Sequence, residues 1–418
     1  MIDGATGRRR EFEASALAGA TSILERVIQT GDLSGAVTVI WRDGEVVQTH
    51  ACGHANIEQA RPMALDTIFR IASMTKPITS VATLMLMEEG KLALNDPIDR
   101  WAPEFCDMRV LRDASGPLDE IYPTPRPITV EDLLTHRSGL AYGFTSVGPI
   151  AGAYEAALGP GDAQPRTEDA WMKALAGIPL AYPPGERFHY SHATDLLGFL
   201  VGRIAGMDFR RFLFERIFEP IGMQDTDFYV PRAKRGRLAS VYRLNAGADA
   251  LEPVDFPDSD GPPAIRSGGG GLFSTADDYL RFARMLLNNG EADGVRLLRP
   301  DTVALMRGNH LSDAQRQFGF MGIPFWAGQG FGLGVSVVTD PVRQAWMGGG
   351  STGAFGWPGA FGTWWQADPV ENMVMIYLIQ NSLPLGPEGA AQLATGQRLG
   401  GRVALPMWQK QVYAALGK

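Results

Sequence analysis

The spacing of apolar residues predicts helices and strands in a definite order along the chain. Apolar positions recur at helical intervals in residues 14–30 and 75–90. Between these two helices, residues 35–53 predict a hairpin of two strands about an Asp-Gly turn. Residues 192–219 predict two more helices, separated at Gly206. The chain is therefore expected to begin with a helix and a hairpin and to continue mainly as helices.

The last third of the chain follows a different pattern. Short runs rich in β-branched and aromatic residues occupy 331–339, 360–368 and 373–381, and Gly and Pro separate them. These runs predict strands, and residues 393–416 predict a closing helix. Strands near both chain ends with helices between them indicate one sheet assembled from the two termini, with a helical region inserted. The expected fold class is α+β.

The same pattern predicts two domains. A discontinuous α/β domain is expected from residues 1–85, 180–230 and 290–418. A mainly helical domain is expected from residues 86–179 and 231–289.

The composition argues against several classes of partner. The 418 residues carry a formal net charge of −8, whereas nucleic-acid-binding chains usually have a basic surface. The N-terminal residues contain no apolar run of the secretory type, and no segment reaches ~18 uninterrupted apolar residues. We therefore expect a cytoplasmic protein with no nucleic-acid partner and no membrane segment. The sequence leaves the oligomeric state open.

No metal or cofactor is expected. No glycine-rich phosphate-binding motif follows a predicted strand and opens a helix, and the two cysteines have no metal-binding spacing. The six histidines also lack the spacing of a ligand set; they are His50, His54, His136, His189, His192 and His310.

The sharpest local motif is a serine followed three residues later by a lysine. Ser73 and Lys76 form an S-x-x-K pattern at the start of the apolar helix predicted at 75–90. A spacing of three places both side chains on one helix face. A serine is a weak nucleophile at neutral pH and needs a partner that accepts its proton. The pattern therefore favours a nucleophilic serine with a lysine base, although a capping serine and a solvated lysine would give the same four letters.

Two other segments could contribute to a site. Tyr190 follows a Pro-Pro-Gly turn and precedes a predicted helix, so its phenol could project into a cleft or simply pack in the core. Residues 353–365 form a run of glycines and aromatic residues that predicts a strand open to a ligand. Because Pro358 cannot donate to a sheet, we expect this strand to lie at an edge or beside a bulge. Its backbone N–H groups could supply half of an oxyanion hole.

A second serine motif competes with the first. Ser351 lies in a G-x-S-x-G sequence, which is the nucleophile elbow of α/β-hydrolases. That motif requires a strand before it and a helix after it, but a Gly-rich aromatic run and a predicted strand follow Ser351. We interpret it as a turn and keep the α/β-hydrolase interpretation as a minor alternative.

Taken in order, these motifs resemble the serine β-lactamase and penicillin-binding-protein superfamily, and most closely its class C-like esterases, the family VIII carboxylesterases. The resemblance covers nearly the whole chain. The segments that carry it are FRIASMTKPITSVATLMLMEEGKLALNDPI, ITVEDLLTHRSGL, PPGERFHYSHATDLLGFLVGRIAG, FEPIGMQDTDF, GGGGLFSTADDYLRFARMLLN and FGWPGAFGTWWQADP. It implies a β-lactamase/transpeptidase-like fold, in which helices flank an antiparallel sheet and a helical domain is added.

The resemblance also implies roles for particular residues. Ser73 matches the acylated nucleophile, Lys76 its base, and Tyr190 the tyrosine of the Tyr-x-Asn element. His192 stands where that element has Asn, which puts the usual contact with lactam side chains in doubt. The oxyanion donors would be the backbone N–H groups of Ser73 and Ala360.

The substrate-binding triplet departs from that of true β-lactamases. Trp357, Pro358 and Gly359 match the Lys-Thr-Gly triplet, so the lysine that anchors the carboxylate of penicillins is absent. An apolar wall suits neutral esters better, and Phe361 and the aromatic stretch 318–326 are expected to line the substrate pockets.

The expected function is that of a serine carboxylesterase acting on short-chain esters, with water as the second reactant and weak action on cephalosporins as a side activity. The alternatives are a true class C β-lactamase or D-Ala-D-Ala peptidase, and a non-catalytic homologue that serves as a binding or scaffold module.

Overall fold

The computed structural model describes residues 12–159, 167–245, 250–256, 261–320, 325–382 and 403–417. Its main sheet has eight strands, and every neighbouring pair is antiparallel. From one edge to the other, the strands are β12 (Gln329–Phe331), β13 (Ser336–Val338), β14 (Phe355–Gly356), β15 (Trp364–Asp368), β16 (Met373–Leu378), β1 (Gly35–Arg42), β2 (Glu45–Asn56) and β3 (Arg61–Pro62).

Within the described residues, four short antiparallel pairs lie outside this sheet. They are β4 (Phe69–Arg70) with β9 (Phe273–Ser274), β5 (Arg109–Leu111) with β6 (Ile121–Pro123), β7 (Val241–Leu244) with β8 (Leu251–Val254), and β10 (Glu291–Ala292) with β11 (Val295–Arg296).

The described helices occupy the chain ends and the long middle region. They are α1 (Ala14–Gln29), α2 (Thr75–Glu88), α3 (Val130–Leu134), α4 (Pro149–Leu158), α5 (Glu168–Ala176), α6 (Ala193–Ala205), α7 (Phe209–Leu213), α8 (Glu219–Ile221), α9 (Ala276–Leu287), α10 (Pro300–Met306), α11 (Pro341–Gln344) and α12 (Ala404–Ala414). The first ten residues of the predicted closing helix, 393–402, lie outside the described residues.

The sheet is the middle layer of the fold because both of its faces are apolar. In β1, the side chains of Val37 and Val39 join the large core that contains α2 and α9, whereas Ala36 and Ile40 join the core that contains α1 and α12. Successive side chains of a strand point to opposite faces, so the apolar residues on the two faces of β1 require a covering layer on both sides. The prediction of one sheet built from both chain ends is confirmed.

The central helix α2 is buried over most of its length. Every residue from Thr75 to Leu86 is buried, and the helix packs against α6. Pro77 lies in its first turn, where a missing N–H removes no intrahelical hydrogen bond. The large core runs without a break through segments of both predicted domains, so the proposed domain boundaries remain a prediction.

Candidate active site

Ser73 lies in a tight turn between β4 and α2. The turn is a single 3-10 segment, Ala72–Met74, and helix α2 begins at the next residue. Ala72 has a φ of 44°, a left-handed conformation that is uncommon for a residue with a Cβ and that concentrates at functional sites. The side chains on either side of Ser73 are buried, while Ser73 itself is partly exposed. The nucleophile predicted from the sequence therefore stands at the N-terminus of a buried helix.

Lys76 is buried beside Ser73 with three oxygen partners. Its side chain is 1% exposed. The Nζ atom lies 3.2 Å from Ser73 Oγ, 3.2 Å from the Tyr142 hydroxyl and 2.6 Å from the carbonyl oxygen of Gly269. An ammonium group has three donors, and three acceptors surround it here. The predicted contact between Ser73 and Lys76 is present in the structure.

The Gly269 carbonyl is held over α2 by a glycine-rich loop, residues 267–271. The Thr79 hydroxyl donates to the Gly268 carbonyl at 2.7 Å, and the Leu272 amide donates to the Thr75 hydroxyl at 3.1 Å. A Cβ on Gly268 would lie 2.6 Å from the Thr194 carbonyl, so only glycine fits at this close approach to α6. The loop thus fixes one of the three acceptors of Lys76.

Tyr190, the third predicted catalytic residue, lies beside Lys76. The Lys76 Nζ atom lies 4.5 Å from the centroid of the Tyr190 ring. The indole N–H of Trp357 donates to the Tyr190 hydroxyl at 3.2 Å. Because an indole N–H can only donate, the phenolic oxygen accepts there and its own proton is available to another group. The ring of His136 packs 4.7 Å from that of Tyr190, and burial keeps the pKa of this imidazole well below its usual value.

The structure adds a second tyrosine that the sequence analysis did not single out. Tyr142 lies in the loop after α3, and its hydroxyl contacts both Lys76 Nζ and, at 3.4 Å, the Asp195 carboxylate. Burial raises the pKa of Tyr142 well above its usual value, and the negative charge of Asp195 raises it further. No motif marks this residue, since only the folding of its loop onto α2 brings it to the lysine.

Asp195 is a buried carboxylate at the centre of the same network. One of its oxygens accepts hydrogen bonds from the Ser267 hydroxyl and from the Gly269 amide at 3.0 Å. The other accepts from His192 Nδ1 at 2.9 Å. Burial by itself raises the pKa of Asp195, but the hydrogen bond and charge of His192 and the charge of Lys76 outweigh it and hold the pKa at about 2. The carboxylate is therefore ionised and partly balances the charge of Lys76.

The predicted oxyanion donor Ala360 lies in a loop pressed against the Ser73 turn. A Cβ on Gly359 would stand 2.4 Å from the Ile71 carbonyl, so glycine is needed for this approach. The Gly359 amide is bonded to the Thr363 carbonyl at 2.8 Å. Among the described residues, no backbone carbonyl accepts from the Ala360 amide, as expected for a donor that serves a substrate.

The prediction of one continuous strand at 353–365 is wrong. The structure has two strands there, β14 and β15, joined by a loop that contains Trp357 and Pro358. Nor does this segment lie at a sheet edge, because β14 is hydrogen-bonded to β13 on one side and to β15 on the other. Since Pro358 stands in the loop, its missing N–H costs the sheet no hydrogen bond.

The side chains around the triplet form an aromatic cluster. Trp357 is 1% exposed and holds the Tyr190 hydroxyl through its indole N–H. Phe361 makes an edge contact with Phe256 at 5.4 Å. The buried members of the cluster are Phe188, Tyr190, Leu311, Phe320, Phe325, Phe331 and Trp357. Within the stretch predicted to line the pockets, Phe320 and Phe325 thus belong to this packed cluster, and residues 321–324 lie outside the described part of the chain.

The competing serine motif lacks the structure of a nucleophile elbow. Ser351 lies in a turn that leads into strand β14, not into a helix. Its backbone amide donates to the Asp368 carboxylate at 2.9 Å, and no histidine of the described residues forms a hydrogen bond with it. This geometry excludes the elbow.

Over the described ranges, no group of three potential His, Cys, Asp or Glu ligands is arranged to hold a metal ion. No helix within those same ranges is long and apolar enough to cross a bilayer.

Comparisons with known proteins agree with this fold. The family model described as Beta-lactamase matches residues 20–397, so the chain belongs to that family. It is 48% identical to Protein Rv1367c of Mycobacterium tuberculosis, over 96% of this chain and 99% of the relative. It is 32% identical to Esterase EstB of Burkholderia gladioli, over 91% of this chain and 94% of the relative.

A solved structure of a hydrolase also shares this fold. The structure titled "EstCE1, a hydrolase with promiscuous acyltransferase activity" superposes with a TM-score of 0.74 at 28% identity, covering 94% of this chain and 99% of that one. The resemblance to β-lactamase-like serine esterases and the expected fold class are confirmed. The chain is a serine hydrolase or acyltransferase of this family.

Proposed function

We propose that the protein is a family VIII carboxylesterase that hydrolyses short-chain carboxylic esters through an acyl intermediate on Ser73. The observation that carries the proposal is the contact of Ser73 Oγ with the buried Lys76 Nζ, with the Tyr190 ring against the same nitrogen. Such an arrangement places a nucleophile beside buried groups able to accept its proton.

The reaction has two halves. The neutral amine of Lys76, together with Tyr190, removes the Ser73 hydroxyl proton as the oxygen attacks the ester carbonyl, and the backbone N–H groups of Ser73 and Ala360 hold the oxyanion. The C–O bond to the alcohol then breaks, and Tyr190 returns the proton to the leaving alkoxide. A water molecule next attacks the acyl-enzyme and gives up its proton to the same groups. Collapse releases the acid and returns the proton to Ser73.

The environment of Trp357 favours neutral esters over β-lactam acids. Where true β-lactamases carry a lysine, this chain has a buried tryptophan inside the aromatic cluster. A β-lactam carboxylate would find no cation at this position and would lose a charge-assisted hydrogen bond. Trp357 instead donates to Tyr190, so the substitution also orients the catalytic tyrosine.

We expect kcat/KM for p-nitrophenyl butyrate to exceed that for nitrocefin by about 10² or more, because a missing polar anchor typically costs discrimination of this size. Both rates are measured spectrophotometrically on the same enzyme preparation, and a Ser73→Ala sample gives the background. Nitrocefin turnover equal to or above ester turnover would support the β-lactamase or peptidase alternative instead.

The two tyrosines beside Lys76 can be separated by matched substitutions. Tyr190→Phe is expected to lower kcat by about 10²–10³, as for loss of a general acid–base group. Tyr142→Phe is expected to lower it by about tenfold, since it removes one hydrogen bond to Lys76 and leaves the proton-transfer group in place. Steady-state kinetics on p-nitrophenyl butyrate measure both. The reverse order of effects would make Tyr142 the proton-transfer group.

An acyl-Ser73 intermediate can also be released by an alcohol in place of water. The related structure titled as a hydrolase with promiscuous acyltransferase activity favours this second outcome for the same site. Product analysis with vinyl butyrate and a primary alcohol in water measures the ratio of transfer to hydrolysis. The non-catalytic alternative is disfavoured because the lysine lies against both the nucleophile and the tyrosine.

A further inference from the structure

A continuous chain of contacts links the nucleophile to a histidine at the edge of the site. It runs from Ser73 Oγ to Lys76 Nζ at 3.2 Å and from there to the Tyr142 hydroxyl at 3.2 Å. The Tyr142 hydroxyl donates to Asp195 Oδ2 at 3.4 Å, and His192 Nδ1 donates to the same oxygen at 2.9 Å. Four contacts therefore connect Ser73 with His192, the residue that replaces the usual asparagine.

Asp195 is also linked to Lys76 through the backbone of Gly269. Its Oδ1 accepts from the Gly269 amide, and the carbonyl of the same glycine accepts from Lys76 Nζ. The orientation of the carboxylate thus bears on two of the three oxygen partners of Lys76, the Tyr142 hydroxyl and the Gly269 carbonyl. His192 holds Oδ2 of that carboxylate, and loss of its donor would leave Oδ2 with the longer bond from the Tyr142 hydroxyl.

His192 is the partly exposed end of this network. Its side chain is 20% exposed, whereas those of Asp195 and Lys76 are buried. An ionised carboxylate only accepts, so the proton of the neutral imidazole is on Nδ1 and Nε2 is left as an acceptor. No hydrogen bond among the described residues uses Nε2. A proton can therefore be added to Nε2 without breaking the bond to Asp195.

The groups that face His192 are three aromatic rings and two charged side chains. Its ring packs against Tyr142 at 4.3 Å, Tyr154 at 5.9 Å and Trp171 at 5.4 Å. Burial raises the pKa of both tyrosines, and tryptophan does not titrate. Asp195 is its charged neighbour on α6, and Lys76 on α2 lies beyond it.

We infer that His192 is a positioning residue that sets the geometry and charge of the Ser73–Lys76 pair through Asp195. The inference rests on the proposed acyl-Ser73 mechanism. In the neutral form, His192 holds the carboxylate while the negative charge of Asp195 acts on Lys76. In the protonated form, the imidazolium offsets the negative charge of Asp195. The neutral amine of Lys76, which is the form that accepts the Ser73 proton, is then favoured. Protonation of His192 thus sustains activity toward acid pH.

Two substitutions separate the effect of the hydrogen bond from His192 to Asp195 from the effect of a positive charge on His192. His192→Leu removes the donor to Asp195, and we expect kcat to fall by about tenfold, the usual cost of a charge-assisted hydrogen bond, with KM changed little. His192→Asn keeps a donor but cannot be protonated. We expect it to restore kcat to within about threefold of wild type at alkaline pH. Its acid limb of kcat/KM should lie about one pH unit higher than that of wild type.

The experiment measures p-nitrophenyl butyrate hydrolysis from about pH 5 to about pH 9, the range in which an imidazole titrates. It includes wild type, both His192 variants, His54→Asn as an exposed-histidine control, and Ser73→Ala. Thermal unfolding checks each fold. If His192→Leu does not fold, the acid limb of His192→Asn decides alone.

The outcomes are distinct. If Ser73→Ala is inactive and the His192 variants match wild type in kcat and acid limb, the inference is overturned and the esterase assignment is retained. If Ser73→Ala remains active, the acyl-Ser73 mechanism fails, and the inference fails with it. An acid limb that shifts in His192→Asn but not in His54→Asn supports the inference.

Discussion

Replacement of Ser73 by alanine is expected to abolish ester hydrolysis while the protein remains folded. The hydroxyl is the atom that forms the acyl bond, so its loss should lower kcat by on the order of 10⁵-fold or more, as for other serine nucleophiles. The side chain is partly exposed and its hydrogen-bond partner Lys76 keeps two other acceptors, so stability should change little. Steady-state turnover of p-nitrophenyl butyrate and a thermal unfolding curve measure the two effects.

Ser351→Ala is the matched control for this experiment. Ser351 is the serine of the competing motif and lies in a glycine-rich turn. It stands before a strand and outside the hydrogen bonds of Lys76. We expect this variant to keep wild-type turnover. A fluorophosphonate probe should label the wild-type protein and the Ser351→Ala variant, and peptide mapping should place the label on Ser73. Retained turnover in Ser73→Ala with loss in Ser351→Ala would reverse the assignment.

Replacement of Lys76 by methionine is expected to lower kcat by on the order of 10³-fold or more, because the Ser73 proton then lacks its nearest acceptor. Methionine has a similar length and no charge, so it fills most of the same space. The change leaves the Gly269 carbonyl and the Tyr142 hydroxyl without their donor, which should cost about 1–3 kcal/mol of stability. Kinetics and chemical denaturation measure both.

The control for the lysine variant is Lys91→Met, which removes an exposed lysine just beyond the C-terminal end of α2. It should leave kcat unchanged. If Lys76→Met kept turnover within tenfold of wild type, the tyrosines alone would have to accept the Ser73 proton. Asp195 remains bonded to His192, Ser267 and Gly269 in the variant, so its charge is not left without donors.

The helices and strands that are set by residues close together in the sequence could be predicted. The period of apolar positions located α1, α2 and the hairpin of β1 and β2, and the left-handed Gly206 ends α6 where the two helices were expected to separate. The S-x-x-K spacing placed Ser73 and Lys76 in contact, because residues three apart on a helix share a face. The sequence pattern missed the break between β14 and β15, since glycines and aromatic residues suit both a strand and a tight loop.

The fold class and the pairing of Ser73 with Lys76 could thus be determined from the sequence by itself, because both depend on short-range periodicity and spacing. Only the tertiary structure decided the rest of the site. Tyr142 reaches Lys76 from 66 residues away, and Asp195 reaches the Gly269 amide across 74 residues. Such contacts depend on how loops pack on α2 and α6, and no local pattern encodes that packing. For this reason the buried carboxylate that balances the catalytic lysine becomes visible only in the folded chain.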